Sequence, residues 1–420
     1  MITFSVISLG CKVNDYEATY IKEELSKDYT YVKPNEFADI YVVFSCCVTN
    51  TAEAKTRKYI NKLKRKNKNA FMCVAGCYVQ TKPESKIFND IDLVIGTSHK
   101  NEIPRLIKEK FKGKIIENNR NLSFESMFIN NYPNKSRAFL KIQDGCNQYC
   151  SYCVIPFARG NERSESHEKI LKIAKELSKN YKEIVLTGIH TGRYSDGNYN
   201  LYNLLVDLTN IDGIETIRLS SIELNEISDE IIELMRTNNK IANHLHIPVQ
   251  SLDNTILKSM HRPYTIEQFK NRIIYIRSKV KDISISTDLI VGFPGETDKI
   301  FNSYLKVLDD LQFSFIHTFP YSKKDGTLAA TMDNQIDETK KKERVNRILS
   351  YEKKITNTYY KSFINKNVNV LVETVKDGYS YGYSKNYMYI KFKGIKTIGN
   401  IYNIKIVEAK DNIIIGEYVS

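Results

Sequence analysis

The feature that most constrains this chain is a run of three cysteines, Cys146, Cys150 and Cys153, spaced C-x-x-x-C-x-x-C and set directly after the apolar stretch 138–142. A strand that opens into three closely spaced thiols needs a loop that turns them toward one point. Loops at the carboxyl ends of parallel strands are where barrel architectures put reacting centres. Three thiolates can hold three irons of a 4Fe-4S cluster and leave the fourth iron open to a small molecule. Structural zinc is the alternative, but it ordinarily takes four ligands.

The pattern around the run agrees with such a barrel. Further strands are expected at 183–186, 216–219, 244–247, 283–290 and 313–317, about 25 to 40 residues apart with helical stretches between them, which predicts an open parallel (β/α) barrel or part of one. Ahead of it, apolar runs at 3–9, 40–48, 71–75 and 92–95 alternate with helical patterns, the signature of a parallel α/β unit of flavodoxin-like type. Residues 113–135 have weak periodicity and run into Asn-Tyr-Pro-Asn-Lys-Ser, which reads as a linker. A Lys-rich helical pattern at 337–360 reads as connective. After 363, short β-branched runs between Gly378, Gly382, Gly394, Gly399 and Gly416 read as a small all-β barrel. The 420 residues therefore divide into an α/β domain at 1–112, a linker at 113–135, a barrel domain at 136–360 and a β tail at 361–420.

Five more cysteines lie in the first unit. Cys11, Cys46 and Cys77 each follow one of the first three strands, and in an open parallel sheet such positions converge on one crevice, so they form a candidate second metal site. Cys47 and Cys73 read as small buried hydrophobes, Cys47 because neighbours along a strand face opposite ways. The chain opens without a positively charged leader and has no apolar run of membrane-spanning length, so a cytoplasmic protein with reduced thiols and no membrane partner is expected.

Sixty-two Lys and Arg against 49 Asp and Glu give a formal charge of +13, which favours a polyanionic partner. Lys, Ile, Asn and Tyr are abundant and Trp is absent, a pattern that AT-rich coding also produces, so where the charge sits matters more than its sum. Between Lys55 and Lys68 stand eight cations and no acid, among them Lys58, Lys62 and Arg65. Such a run neutralises phosphates or covers a solvated helix. Lys391 and Lys393 in the tail have the same sign, with Tyr387, Tyr389 and Phe392 as candidate stacking partners for bases.

The cysteine run resembles that of the radical S-adenosylmethionine (SAM) superfamily, and Tyr152 matches the aromatic before its last cysteine. The resemblance narrows with Ser8-Leu-Gly-Cys11-Lys-Val-Asn14, Cys46-Cys-Val-Thr49-Asn-Thr-Ala-Glu53-Ala-Lys and Ala75-Gly-Cys77-Tyr-Val-Gln80, which are similar to the amino-terminal motifs of the methylthiotransferases. It covers essentially the whole chain, and the Gly-Cys-Lys-Val-Asn form is similar to the MtaB type. It implies two 4Fe-4S clusters, one on Cys146, Cys150 and Cys153 that binds SAM, and an auxiliary one on Cys11, Cys46 and Cys77 that carries the sulfur to be transferred. It also implies a TRAM domain in the tail that grips tRNA, an electron donor of flavodoxin or ferredoxin type, and a sulfur source. The implied reaction is methylthiolation of carbon 2 of threonylcarbamoyladenosine beside the anticodon. Action on an isopentenyl-type adenosine or a ribosomal protein is the nearer alternative, and a zinc-containing RNA-binding protein the distant one.

The same resemblance assigns further contacts. Gly188 and His190 fall where the superfamily meets the SAM amine, Gly292 on the strand that passes the adenine, and Gln250 in a segment whose usual small residue is replaced by Leu252. Arg159 and Arg163, in a Arg-Gly-x-x-Arg-Ser segment, are either surface ion-pair residues or the cations nearest the substrate carboxylate.

Overall fold

The computed structural model describes residues 1–132, 135–410 and 412–419. Of the expected linker, Pro133 and Asn134 lie outside the described residues. The first unit is a six-stranded parallel sheet in the spatial order Thr30–Tyr31, Thr3–Ser8, Ile40–Ser45, Phe71–Gly76, Leu93–Ile95 and Gly113–Ile115. The last strand is drawn from the first residues of the expected linker, and the two-residue edge strand was too short to show a period. Ile40–Ser45 is buried at every position, which is why it reads as a continuous apolar run.

Six parallel strands follow in the central unit. Ala138–Lys141, Glu183–Thr187 and Thr216–Leu219 form one sheet; His244–His246, Ser284–Val291 and Phe315–Pro320 form another. Parallel bridges Ile217 to Ile241 and Ser221 to His246 join them into an open barrel. Helices between the strands begin at side-chain caps such as Ser166, Ser228 and Thr265, the last in a reciprocal pair with Gln268. Strand residues of one parity, including Ala138, Leu140, Ile184, Leu186, Ile217, Leu219 and Leu245, join the helices in one apolar core. The opposite parity faces the barrel interior.

The helix Glu338–Lys361 is more than connective, which corrects the sequence expectation. It buries Lys341, Arg344, Ile348, Glu352 and Thr356 against the central unit, and Arg344 Nη1 donates to Glu296 Oε1 at 2.8 Å. The tail closes into a five-stranded barrel, Asn367–Lys376, Tyr379–Ser384, Tyr389–Lys393, Ile413–Tyr418 and Ile401–Lys410, around Val370, Val372, Ile390, Phe392, Ile404 and Ile406. Among the described residues no helix is long and apolar enough to cross a membrane.

Candidate active site

In the first sheet the chain leaves Thr3–Ser8 in one direction along the sheet and later continues from Ile40–Ser45 in the other, so the crevice between these two strand ends is the topological switch point. Cys11 follows the first strand and caps the helix Lys12–Leu25, Cys46 follows Ile40–Ser45, and Cys77 follows the adjacent Phe71–Gly76. Asn14 ties two of these ends together, donating from Nδ2 to the carbonyls of Leu9 and Ser45 at 2.7 and 3.0 Å. Gly10 has φ +99°, and a Cβ on it would come within 2.6 Å of Cys46 Sγ, so the Cys46 sulfur lies over the backbone that leads into Cys11.

The three thiols share one field. Cys46 feels Cys77, Cys11 and Arg159, whereas Cys47 feels Cys77 and Cys46 and bonds toward Thr81. The strand stops at Ser45, so a turn of the loop, rather than the pleat alternation expected from sequence, separates the two neighbours. Cys47 packs with Val43, Ile60 and Leu63, and Cys73 lies on the sheet's other face with Phe4, Val42 and Phe44. A hydrogen bond from Cys47, reinforced by Arg159 and Lys100, draws the Cys77 thiol down to about 6, while burial pushes Cys46 up to about 11. Cys47→Ser is expected to keep the iron of the reconstituted protein, whereas Cys46→Ser keeps SAM cleavage but loses about half the iron and all sulfur insertion. Iron analysis of the two variants checks this, and the opposite pattern would exchange the roles of the two cysteines.

Arg159 is not available to a substrate, which corrects the sequence reading. It is wholly buried, with Nε donating to Cys77 Sγ at 3.3 Å, Nη1 to Glu17 Oε1 at 3.0 Å and to Asp144 Oδ2 at 3.1 Å, and Nη2 to Asn14 Oδ1 at 2.8 Å. Lys100 Nζ lies 2.5 Å, and Lys141 Nζ 2.9 Å, from Glu17 Oε1. Arg163 is turned inward as well: Nη1 donates to the Arg159 and Asn161 carbonyls at 2.7 and 3.1 Å, and Nη2 lies 3.5 Å from Asp144. Neither guanidinium is a free surface cation. Four cations here, Lys100, Lys141, Arg159 and Arg163, meet three carboxylates, Glu17, Asp144 and Glu125. Cys77 Sγ is a further acceptor for Arg159, and Arg159 and Lys100 favour its thiolate form. Burial alone would raise Glu17, but Arg159, Lys100 and Lys141 hold it below the usual carboxylate range. Asn14 and Glu17, one helical turn apart, carry this network from the first unit; only their place in the Cys11 motif hinted at it.

The loop with the three central cysteines opens after Gln143–Asp144. Backbone N–H groups of Gln148 and Ile155 lie 3.4 Å from Cys146 Sγ and Cys153 Sγ, and Arg262 Nη1 lies 3.5 Å from Cys150 Sγ. Arg262 was missed from sequence, where it is an unremarkable Arg before a proline; it is buried and also pairs with Glu223. His190 Nδ1 stands 3.4 Å from Cys146 Sγ, and its ring lies 3.2 Å from Glu162 and 2.6 Å from Glu226. Cys146, Glu162 and His190 offer ligand atoms within 4.8 Å of one another.

Of the residues expected at SAM, Gly188 follows the strand Glu183–Thr187 and packs on Gln143, whose Oε1 accepts from the His190 backbone at 2.7 Å. Tyr152 turns its ring edge to Phe293 at 6.4 Å between centroids. Gln250 is left-handed at φ +64° and is bridged to Leu289, and Leu252 turns into the core. Gly292 follows Ser284–Val291 with its N–H on Glu296 Oε1 at 2.8 Å and its open side against Lys341. All lie at carboxyl ends of central strands, on the side of the cysteine loop.

The helix Asn50–Lys66 buries Glu53, Thr56, Ile60 and Leu63, leaving Lys58, Lys62 and Arg65 exposed. In the tail, Lys391 sits 4.0 Å over the Tyr379 ring and Lys393 is exposed. Tyr387 and Tyr389 stay partly exposed, though Tyr387 already stacks on His244 and Tyr383, and Phe392 is wholly buried in the barrel, so it cannot stack on a base.

The donor sets suit iron–sulfur clusters. Each brings three thiols within electrostatic reach of one another, with N–H groups or guanidinium at sulfur, and the first has a surplus cation and a glycine cradle. Comparison with known proteins agrees with this chemistry. Residues 140–308 match the radical SAM superfamily, and residues 3–96 an uncharacterized protein family, UPF0004. The chain is 39% identical over 427 residues to threonylcarbamoyladenosine tRNA methylthiotransferase MtaB of Bacillus subtilis (strain 168), covering 97% of this chain and 94% of that protein. It is 35% identical to the protein of the same name from Aquifex aeolicus (strain VF5), covering 95% and 98%. It is also 35% identical to a tRNA-2-methylthio-N(6)-dimethylallyladenosine synthase of Thermoanaerobacter sp. (strain X514), covering 99% and 92%. Among solved structures, the radical SAM methyltransferase TsrM of Kitasatospora setae shares the fold at TM-score 0.56 and 13% identity, over 78% of this chain and 77% of that one.

Proposed function

The chain belongs to the radical SAM methylthiotransferase family, and from that membership we propose that it methylthiolates carbon 2 of threonylcarbamoyladenosine in tRNA. The observation that carries the reading is the match, across 97% of the chain, to a protein named for that reaction. We assign the SAM-binding cluster to Cys146, Cys150 and Cys153 and the auxiliary cluster to Cys11, Cys46 and Cys77. When bound, the clusters and SAM supply the radical, the sulfur and the methyl group.

The rest is the work of the chain itself. Arg262 and the Gln148 and Ile155 N–H groups stabilise thiolate charge at the central cysteines, and the Arg159 network does so at Cys77. That network ties Glu17, on the helix after Cys11, to Asp144, on the loop of the second trio, so it also holds the two centres in register. Gly188, His190, Gln250, Gly292 and Tyr152 are the proposed SAM contacts. Lys58, Lys62, Arg65, Lys391 and Lys393 are proposed to meet tRNA phosphates. We divide the labour among residues 1–112, 136–360 and 361–420 for the auxiliary cluster, the SAM chemistry and the RNA grip. The reading carries with it a low-potential electron donor of flavodoxin or ferredoxin type, a sulfur source, and a cytoplasmic setting in which thiols stay reduced.

Relatives named for dimethylallyladenosine mark the alternative reading, an isopentenyl-type substrate. Reconstituted enzyme with SAM and reductant is expected to convert tRNA carrying threonylcarbamoyladenosine and to leave isopentenyladenosine tRNA unchanged. Mass analysis of the nucleosides decides it, and product on the isopentenyl tRNA alone would overturn the assignment.

A further inference from the structure

Each cysteine trio is approached by one buried guanidinium, Arg159 at Cys77 and Arg262 at Cys150. Arg262 lies in the turn after the helix Asn254–Ser259, and that turn is tied to the cysteine loop by three hydrogen bonds. Ser151 Oγ donates to the Ser259 carbonyl at 2.7 Å, the Ser151 N–H to the Met260 carbonyl at 3.2 Å, and Gln148 Nε2 to the His261 carbonyl at 3.4 Å. His261 is left-handed at φ +59°, which turns the chain back so that the Arg262 N–H donates to the Leu257 carbonyl at 2.9 Å. Backbone bonds therefore fix where Arg262 stands relative to the thiols.

The guanidinium itself is held as tightly. Nε donates to Tyr264 Oη at 3.1 Å, and Nη2 donates to the same hydroxyl at 2.8 Å, to the Pro248 carbonyl at 3.2 Å and to the Glu223 carboxylate. Tyr264 Oη in turn donates to the Pro248 carbonyl at 2.9 Å, which orients it under the fork. Among the described residues the only acceptor of Nη1 is Cys150 Sγ, at 3.5 Å. The other two sulfurs meet different donors, the Gln148 N–H and His190 at Cys146 and the Ile155 N–H at Cys153. Cys150 is thus the one thiol of this loop with a guanidinium on it. An Arg side chain stays protonated, and burial leaves its field little screened.

We propose that Arg262 sets the reduction potential of the SAM-binding cluster, raising it into the range a low-potential donor can reach. The proposal rests on the cluster assignment above and adds how the chain tunes that centre. One electron passes from the donor of flavodoxin or ferredoxin type to the cluster; no bond forms or breaks, and no proton moves at that step. The reduced form carries one more negative charge beside Nη1, so Arg262 stabilises it more than the oxidised form, and hydrogen bonds to cluster sulfur shift potentials in this way. Glu223, bound at Nη2 rather than Nη1, acts in the opposite sense. The two side chains therefore make a matched pair whose separate removal shifts the potential in opposite directions.

The test is a redox titration of the reconstituted full-length enzyme followed by electron paramagnetic resonance, with wild type, Arg262→Met and Glu223→Gln. The signal that changes when SAM is added afterwards identifies the SAM-binding cluster. Arg262→Met is expected to lower its midpoint so that, at a given donor potential, the ratio of reduced to oxidised cluster falls about tenfold, which is about 59 mV for one electron. Glu223→Gln is expected to raise the midpoint, because the opposing charge is gone while Tyr264 and the Pro248 carbonyl still hold the fork. Iron content and the Kd for SAM are expected to stay at the wild-type level in both. An unmoved midpoint in iron-loaded Arg262→Met overturns the proposal, and so does a fall in both variants, which would mean only a loosened loop. Loss of SAM binding with an unmoved midpoint overturns it too and gives the guanidinium to the SAM carboxylate. If Arg262→Met takes up no iron, Glu223→Gln decides alone, and a midpoint that does not rise overturns the proposal. A wild-type enzyme with no signal that responds to SAM defeats the cluster assignment instead.

Discussion

Exchanging Cys146, Cys150 and Cys153 together for alanine is expected to remove about half of the reconstituted iron and to abolish formation of 5′-deoxyadenosine from SAM. The effect is total because these residues supply three thiolates from one loop, and among the described residues no other cysteine lies on the central strands' loops. The remaining half stays because the first trio is carried by different strands with their own apolar packing on both sheet faces. The residual absorption near 400 nm and the iron count report that cluster, and SAM cleavage at the wild-type rate would show that the radical centre lies elsewhere. Zinc in place of iron would give no such absorption.

Replacing Arg159 with methionine is expected to destabilise even the iron-free protein by about 3–5 kcal/mol, the range for removing one partner of a buried ion pair. The loss is large because the guanidinium serves Glu17, Asp144, Asn14 and Cys77 at once, and each carboxylate would be left buried with fewer partners. Arg159→Lys keeps the charge but not the fork that reaches both units, so an intermediate stability is expected. Denaturant unfolding of the three apo-proteins measures this. Unchanged stability in Arg159→Met would return Arg159 to a ligand-binding role.

The sequence reading and the structure agree most closely where a local pattern carries the information. The central strands stand within a few residues of their expected places because each is a short apolar run between helical periods, and burial of alternate residues against one core is what makes the run apolar. The cysteine loop was legible because thiols at fixed short spacing, after a strand, have few other uses in a reduced chain. The closed tail barrel was legible from β-branched runs and their glycine punctuation.

What the sequence by itself determined, then, is the class of fold and the six thiols that suit two clusters, since spacing along the chain and strand-end position are local properties. Only the tertiary structure decided how the long polar side chains are spent. Arg159 and Arg163 look alike as charges in a sequence, and an ionic partner can lie more than a hundred residues away, as Glu17 does from Arg159. The fold turns both inward, Arg159 across to Glu17 and Asn14 of the first unit and Arg163 onto Asp144 of its own, because pairing depends on which strand ends meet across the crevice, and no periodicity along the chain records that.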